Sequence, residues 1–484
     1  MNITALLEQI NRILRPVVWG WPTLGAILLA GANYSFRLGF FQIRHCGLWM
    51  KTALGGILRR QGGTTVSGHG EMTQFQALTT ALAGSIGTGN IVGVATALTI
   101  GGPGSIFWMW ISAFLGMMTV FAENVLGMKY RVRDSFGHWR GGAMYYLERG
   151  VHCRPLALVF AAACVFASFG MGNMAQTNSI AHALQNSFGI SSAATGVVLC
   201  VLLLFLTFGG VRRVARVTEK LVPFMAVGYL AACAVILICY RSHLGEAVQS
   251  ILQGAFGLQS AAGGVGGMLA AKAVQCGVSR GIFTNEAGLG SSVMAHSGSD
   301  GKEPVEQGMW GIFQVFLDTI VMCTVTALVL LSTGVLSSGL DGAELSAAAF
   351  ECVFGSAGGV FVAVAITLFA FATLLGWSYY GEQGVCYLTG GRGIRCFRIL
   401  FAGAAFLGCS LDLRLVWELS DTFNGFLALP NLTALFLLGG EVVKETDSYL
   451  ARHRKTPSEK KLSALKKGAK NPGAPVCPLS GKNP

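Results

Sequence analysis

The apolar sequence of this chain is interrupted at residues 84–93 by the stretch GSIGTGNIVG, in which four glycines stand among hydroxyl and amide side chains. A second interruption, GIFTNEAGLGSS, occupies residues 281–292. Glycine releases the backbone from helical geometry, and unpaired N–H and C=O groups at membrane depth are tolerated only where they line a polar cavity. We therefore predict two membrane helices that are broken near their middle, with ligand-binding groups at each break.

The composition of the whole chain indicates a polytopic α-helical membrane protein. Of its 484 residues, 52% are hydrophobic and only 12% are charged, against roughly 25% charged residues in soluble domains. The mean hydropathy is +0.57. These values exclude an ordinary soluble enzyme. The 13 cysteines include no CxxC pair, so the sequence predicts neither a zinc site nor a disulfide framework.

Eleven apolar stretches approach the length of about 20 residues that a membrane helix needs. The first is interpreted as an accessory helix, and the other ten form two sets of five with opposite membrane orientation. We predict an accessory region at 1–72, a first repeat at 73–240, a second repeat at 241–440 and an unstructured basic tail at 441–484. The stretches are 17–34, 75–100, 105–128, 156–180, 194–211, 221–240, 266–294, 308–331, 359–387, 394–411 and 416–438.

Lysine and arginine residues predict the orientation, because short cytoplasmic loops are enriched in them. The loops after the first, third, fifth and ninth stretches are basic, whereas 187–193 and 333–357 contain no Lys or Arg. We expect the N-terminus outside and the C-terminus inside the cytoplasmic membrane of a bacterium. From residue 444 onward there are ten Lys and Arg residues and three acidic residues, so this segment carries seven of the twelve net positive charges. This tail is predicted to contact anionic lipids rather than nucleic acid.

Further polar side chains lie inside the apolar stretches. Asn173, Gln176 and Thr177 are spaced to share one helix face. Gln176 is equally consistent with a substrate contact and with an interhelical hydrogen bond. Thr373 and Trp377 also share a face, where a hydroxyl for an ion would lie beside a ring that closes a pocket.

Acidic residues inside a membrane are costly unless they are paired or functional. Glu123 is followed by Lys129 and Arg131, so we expect it to form a structural salt link with them. Asp318 is either a coupling group or a tie between helices. Asp421 is a further acid, in the last stretch.

From about residue 70 to 440 the chain resembles the alanine or glycine:cation symporter family, also called sodium:alanine symporters. The resemblance is specific because its motifs occur in the same order over most of the chain. The matching motifs are 87–95, 101–110, 129–131, 141–146, 280–290, 318–319 and 377–381.

The resemblance implies an all-α fold with an accessory helix and a five-plus-five inverted-repeat core with two broken helices. It also implies that the backbone carbonyls of Ala83 and Ile86 and the hydroxyl of Thr373 bind sodium. The substrate-binding residues that it implies are Gly87, Thr88, Gly89, Asn90, Gln176, Phe283, Thr284, Gly288 and Trp377.

The expected function is sodium-coupled import of a small neutral amino acid, alanine or glycine, by alternating access. Sodium is the coupling ion, no other cofactor is expected, and a monomer is one option for the oligomeric state. Proton coupling through Glu286 or Asp318 is the main alternative, and a channel is a weaker one. No constellation of catalytic residues lies within the apolar stretches, so an enzyme is not expected.

Overall fold

The computed structural model describes residues 9, 11, 16, 18–59, 72–134, 137–256, 265–411 and 422–454, and these residues are predominantly helical. A single antiparallel hairpin, β1 (Val132–Arg133) with β2 (Trp139–Arg140), is present in this part of the chain. The helices are α1 (Trp21–Arg37), α2 (Phe41–Arg44), α3 (Cys46–Arg59), α4 (Gln74–Ser85), α5 (Val92–Gly101), α6 (Gly104–Tyr130), α7 (Ala143–Arg149), α8 (Arg154–Phe169), α9 (Ala175–Phe188), α10 (Ser192–Phe208), α11 (Gly210–Cys239), α12 (Leu244–Ala255), α13 (Val265–Asn285), α14 (Val293–Ser297), α15 (Pro304–Val315), α16 (Thr324–Ser332), α17 (Gly342–Phe354), α18 (Ser356–Thr389), α19 (Ile394–Gly408), α20 (Ala428–Leu437) and α21 (Gly439–Arg454).

Two long helices contain a π-helical segment, a feature that often marks a functional site. The segment Gly170–Met174 joins α8 to α9, and Phe316–Cys323 joins α15 to α16. Counted with these segments, five helices of the described residues are long and apolar enough to cross a membrane. A sixth candidate is the pair Thr422–Leu437 and Gly439–His453, which is bent by 60°.

Each of the eleven predicted stretches has a helical counterpart. A break is present in both predicted helices, because a 3₁₀ turn (Thr88–Asn90) separates α4 from α5, and residues 286–292 separate α13 from α14. The first break lies near the middle of its helix, whereas the second lies near the end, since α13 has 21 residues and α14 has 5. The number of membrane crossings and the repeat boundaries stay predictions. Several short helices were not predicted, among them α12 and α17, which cover one end of the bundle.

The tail differs from its prediction over residues 441–454. This part belongs to α21, where Glu441 and Glu445 pair with Lys129 of α6 at 3.0 and 3.1 Å. Asp421 and residues 455–484 lie outside the described residues.

The first broken helix starts, and the second ends, at the end of the bundle that carries β1 and β2. We call this the basic end. The N-terminus of α4 is capped by Thr73, whose hydroxyl accepts from the N–H of Gln76 (3.1 Å). Met72 forms a parallel bridge with Ser299, just after α14. Arg131 donates to the carbonyls of Ser299 (2.7 Å) and of residue 301 (2.6 Å), so it holds this corner in place.

Candidate substrate and ion site

The first break redirects two backbone hydrogen bonds that a continuous helix would form. The N–H of Gly87 donates to the side-chain oxygen of Asn90 (3.0 Å), and the N–H of Asn90 donates to the carbonyl of Gly87 (3.3 Å). In an unbroken α-helix these N–H groups would donate to the carbonyls of Ala83 and Ile86. Both carbonyl oxygens are thereby released from the helix. They are the two carbonyls implied as sodium ligands.

The second break uses left-handed backbone at three positions. Gly288 (φ 87°) and Gly290 (φ 70°) adopt it easily because they have no Cβ atom. Glu286 adopts it (φ 59°) in spite of its side chain, a conformation that is uncommon outside functional sites and turns. The side chain of Asn285 accepts from the N–H of Ala287 (3.0 Å) and so stabilises the start of the turn.

The first break lies directly against two long helices. A methyl group added at Gly87 would collide with the hydroxyl oxygen of Thr373 on α18. Thr373 donates its own proton to the carbonyl of Phe369 (3.1 Å), which leaves its oxygen lone pairs directed away from that bond. Thr88 donates to the side-chain carbonyl of Gln176 on α9 (3.0 Å). The structure thus brings the predicted residues of the first break into contact with two other predicted residues, Gln176 of α9 and Thr373 of α18.

The two breaks also contact each other. A methyl group added at Gly89 would lie 2.7 Å from Cγ2 of Thr284 and 3.4 Å from the ring of Phe283. All three residues are buried. Glycine at position 89 is therefore what lets the second broken helix approach the first.

Asp318 connects both broken helices to the π-helical segment between α15 and α16. Asn90 donates to its carboxylate (2.9 Å), and Thr319 donates to the other carboxylate oxygen (2.8 Å). The Thr319 hydroxyl in turn accepts from Asn285 (3.2 Å) and lies 3.4 Å from that of Thr284. Asp318 is therefore a tie between helices, and a role in coupling remains compatible with this position.

Gly288 lies apart from the other predicted substrate residues, and its contacts correct the prediction for Glu123. The N–H of Gly288 donates to Glu123 (3.0 Å), and Asn431 donates to the same carboxylate oxygen (2.6 Å). Glu123 is fully buried, whereas Lys129 pairs with α21 and Arg131 donates to carbonyls near α14. The predicted salt link is wrong because these cations lie beyond the buried part of α6.

Trp377 is fully buried, as expected for a ring that closes a pocket rather than one that anchors a helix at the membrane surface. Its ring packs on Gly172 in the first π-helical segment, where any Cβ atom would collide with it.

The predicted polar stripe around Gln176 faces two directions. Asn173 donates to a carbonyl of α19 (2.6 Å), and Thr177 contacts Gly408 of that helix. Gln176 turns instead toward Thr88. The prediction that the three side chains share one face is therefore wrong for Gln176, because adjacent residues such as Gln176 and Thr177 point about 100° apart around an α-helix.

A cavity of about 590 Å³ opens at the basic end. It is lined by Met72 and Gly298, which flank the first and second broken helices, and by Arg140 and Tyr379 among others. Its wall also contains the ion pair of Arg398 with Glu382, at 2.8 Å.

The opposite end of the bundle is covered by α12 and α17. Asp341, which caps α17, accepts from Thr99 at the end of α5 (2.8 Å). Trp108 of α6 donates to the carbonyl of Ala255 at the end of α12 (3.1 Å). These contacts hold α12 and α17 against this end of the bundle.

Two broken helices that meet at a buried polar site, inside a bundle of apolar helices, define a membrane transporter of the five-plus-five inverted-repeat class. The crystal structure of MhsT in complex with L-phenylalanine has this fold: it matches with a TM-score of 0.59 and 14% identity, over 78% of this chain and 93% of that one.

The sequence profile of the sodium:alanine symporter family matches residues 4–464, so the chain belongs to that family. An uncharacterized transporter of Haemophilus influenzae is 43% identical, over 93% of this chain and 97% of its own length. The sodium/alanine symporter AgcS of Methanococcus maripaludis is 42% identical, over 93% of this chain and 98% of its own. The protein is therefore a multi-pass membrane transporter and not an enzyme.

Proposed function

We propose that this protein couples the inward movement of sodium to the import of a small neutral amino acid, alanine or glycine, by alternating access. The observation that carries the proposal is the meeting of both broken helices at one buried polar site. Membership in the sodium:alanine symporter family supports the same substrate and ion.

The proposed sodium site is formed by the carbonyls of Ala83 and Ile86 and the hydroxyl of Thr373. Two of these oxygens are released from helical hydrogen bonding, and the third lies against Gly87, the residue that follows Ile86. Carbonyl oxygens at the end of a half-helix suit a dehydrated sodium ion, because the helix dipole places negative partial charge there.

The proposed amino-acid site lies beside this ion. The N–H groups at Thr88 and Gly89 begin the outer half of the first broken helix, where positive partial charge favours a carboxylate. Phe283, Thr284 and Trp377 restrict the space for the side chain of the substrate. Because Gly89 and Thr284 are already in contact, we propose a preference for substrates no larger than a few side-chain atoms.

We propose that the basic end faces the cytoplasm of a bacterial cell, as the distribution of Lys and Arg indicates. The cavity at this end and the covered opposite end then correspond to an inward-facing form. An inward-moving sodium ion contributes about 2.3 kcal/mol per 100 mV of membrane potential, in addition to its concentration gradient.

Proton coupling is the second candidate, because three buried acids lack a cationic partner. Glu123, Glu286 and Asp318 are fully buried, and no ion pair joins them to Lys or Arg among the described residues. A bound cation or a proton would offset this unpaired charge.

Uptake of labelled alanine into proteoliposomes at fixed pH distinguishes the two coupling ions. We expect uptake with external sodium and little uptake when choline replaces sodium. Unlabelled glycine and alanine should compete strongly, whereas leucine and phenylalanine should not. Uptake that follows an imposed pH gradient and is equal in choline would refute sodium coupling.

A further inference from the structure

A second polar cluster lies on the basic-end side of the substrate site, at Glu286. This residue occupies the break of the second broken helix in a left-handed conformation and is fully buried. Ser291 donates to one of its carboxylate oxygens (2.7 Å). The other oxygen, Oε1, has no hydrogen-bond partner among the described residues.

Two side chains of α18 complete this cluster. The ring N–H of Trp377 faces the Glu286 carboxylate, and the rings of Trp377 and Tyr380 meet edge to face with centroids 5.4 Å apart. Both side chains are fully buried, and the Tyr380 hydroxyl has no hydrogen-bond partner in the described part of the chain. The Tyr380 hydroxyl points toward Gly84, at the end of the inner half of the first broken helix.

Buried polar atoms without partners are unfavourable, and two of them in one cluster, Oε1 of Glu286 and the hydroxyl of Tyr380, require an explanation. Their chemistry is complementary to a zwitterion. The free carboxylate oxygen of Glu286 can accept from an ammonium group, while the phenol O–H of Tyr380 can donate to a carboxylate.

The cluster also lies on the route from the proposed site to the cavity. Trp377 follows Thr373 of the proposed site by one turn of α18, and Tyr379, the neighbour of Tyr380, lines the cavity. Tyr379 donates to the carbonyl of Met294 in α14 (3.3 Å), which closes this route between α18 and the second broken helix.

We propose that Glu286, Trp377 and Tyr380 form an inner binding station, which holds the zwitterionic amino acid after it leaves the first site and before it enters the cavity. This inference rests on the proposed function. It adds a second site to the release path and gives the charge of Glu286 a role in moving the amino acid rather than in binding sodium.

The competing explanation is a structural latch between α18 and the second broken helix. A latch needs only a hydrogen-bond acceptor at position 286, which glutamine would supply, and it does not need the unpaired Tyr380 hydroxyl. A station that binds the ammonium group of the substrate needs the negative charge of Glu286. Its binding of the substrate carboxylate needs the Tyr380 hydroxyl. The variants E286Q and Y380F therefore separate the two explanations.

The experiment measures sodium-dependent alanine binding to purified protein and the initial uptake rate in proteoliposomes. The matched control is Y229F, which removes another buried hydroxyl, bonded to Thr326 at 2.9 Å. We expect E286Q and Y380F to bind alanine within about twofold of the wild type but to transport it at least about tenfold more slowly, because a charged hydrogen bond is lost on the path. Y229F should transport at nearly the wild-type rate.

Uptake by both variants within twofold of the wild type would overturn the proposal in favour of a latch. Loss of alanine binding by E286Q would also overturn it, because Glu286 would then belong to the first site. The wild-type arm tests the proposed function separately: absence of sodium-driven alanine uptake by the wild type would refute that function, whatever the variants do.

Discussion

Replacement of Thr373 by alanine tests the proposed sodium site most specifically. The Thr373 hydroxyl lies against Gly87, and its proton is donated to the carbonyl of Phe369 (3.1 Å), so the oxygen presents its lone pairs to the break. An interaction of a polar group with a charge contributes about 1.5–3 kcal/mol. Since 1.4 kcal/mol is tenfold, T373A should raise the sodium concentration for half-maximal uptake by roughly ten- to a hundredfold.

The assay is the initial rate of labelled alanine uptake into proteoliposomes as a function of external sodium. T373S keeps the hydroxyl and should stay within about threefold of the wild type, since only a methyl group is lost. T367A is a matched control on the same helix, because the Thr367 hydroxyl makes the same type of bond, to the carbonyl of Ala363 (2.8 Å). Its sodium dependence should be unchanged.

The defect of T373A should be overcome at high sodium, where the maximal uptake rate returns toward that of the wild type. A sodium dependence identical to that of the wild type would refute the assignment of Thr373 as a ligand. So would an equal shift in T373S, because the shift would then follow packing rather than the hydroxyl.

Two other substitutions test the geometry of the site and of its support. In G89A the new methyl group would lie 2.7 Å from Thr284 and 3.4 Å from the ring of Phe283, so the two broken helices must shift apart. Alanine affinity should fall by about tenfold or more, and the protein should be destabilised by about 1–3 kcal/mol; unchanged affinity would place the substrate elsewhere. In N431A the buried Glu123 loses a donor at 2.6 Å, so the protein should be destabilised by about 1–3 kcal/mol in thermal unfolding, and an unchanged melting temperature would contradict this role.

The broken helices could be predicted from the sequence because their signal is local. Glycines beside Thr88, Asn90 and Thr284 interrupt apolar stretches, and the count of stretches places both interruptions at equivalent positions of two repeats. The assignment of the Ala83 and Ile86 carbonyls as sodium ligands came from the family resemblance. The redirected hydrogen bonds around the first break give this proposed assignment a physical basis.

Contacts between distant parts of the chain could not be predicted in this way. Glu123 has Lys129 within two helical turns in sequence, yet its donor Asn431 is 308 residues away. Likewise, Asp318 is separated from Asn90 by 228 residues, and no periodicity reports such a pairing. The inner cluster at Tyr380 was missed although it lies within a family motif, because a buried tyrosine is usual in a helix core.

The direction of Gln176 shows a further limit of sequence patterns. Spacings of three and four residues predict a shared face, yet the neighbours Gln176 and Thr177 point about 100° apart around an α-helix. Asn173 and Thr177 face α19 while Gln176 faces Thr88, and only the packing of the neighbouring helices determines which side chain meets which partner.

The most direct test of sodium-coupled transport is the concentration ratio that the purified protein builds up in proteoliposomes. With an inward sodium gradient and a negative interior, labelled alanine should rise above its external concentration and then return to it as the gradient decays. An ionophore that collapses the sodium gradient should abolish this accumulation. Equal accumulation with and without the sodium gradient would contradict the account.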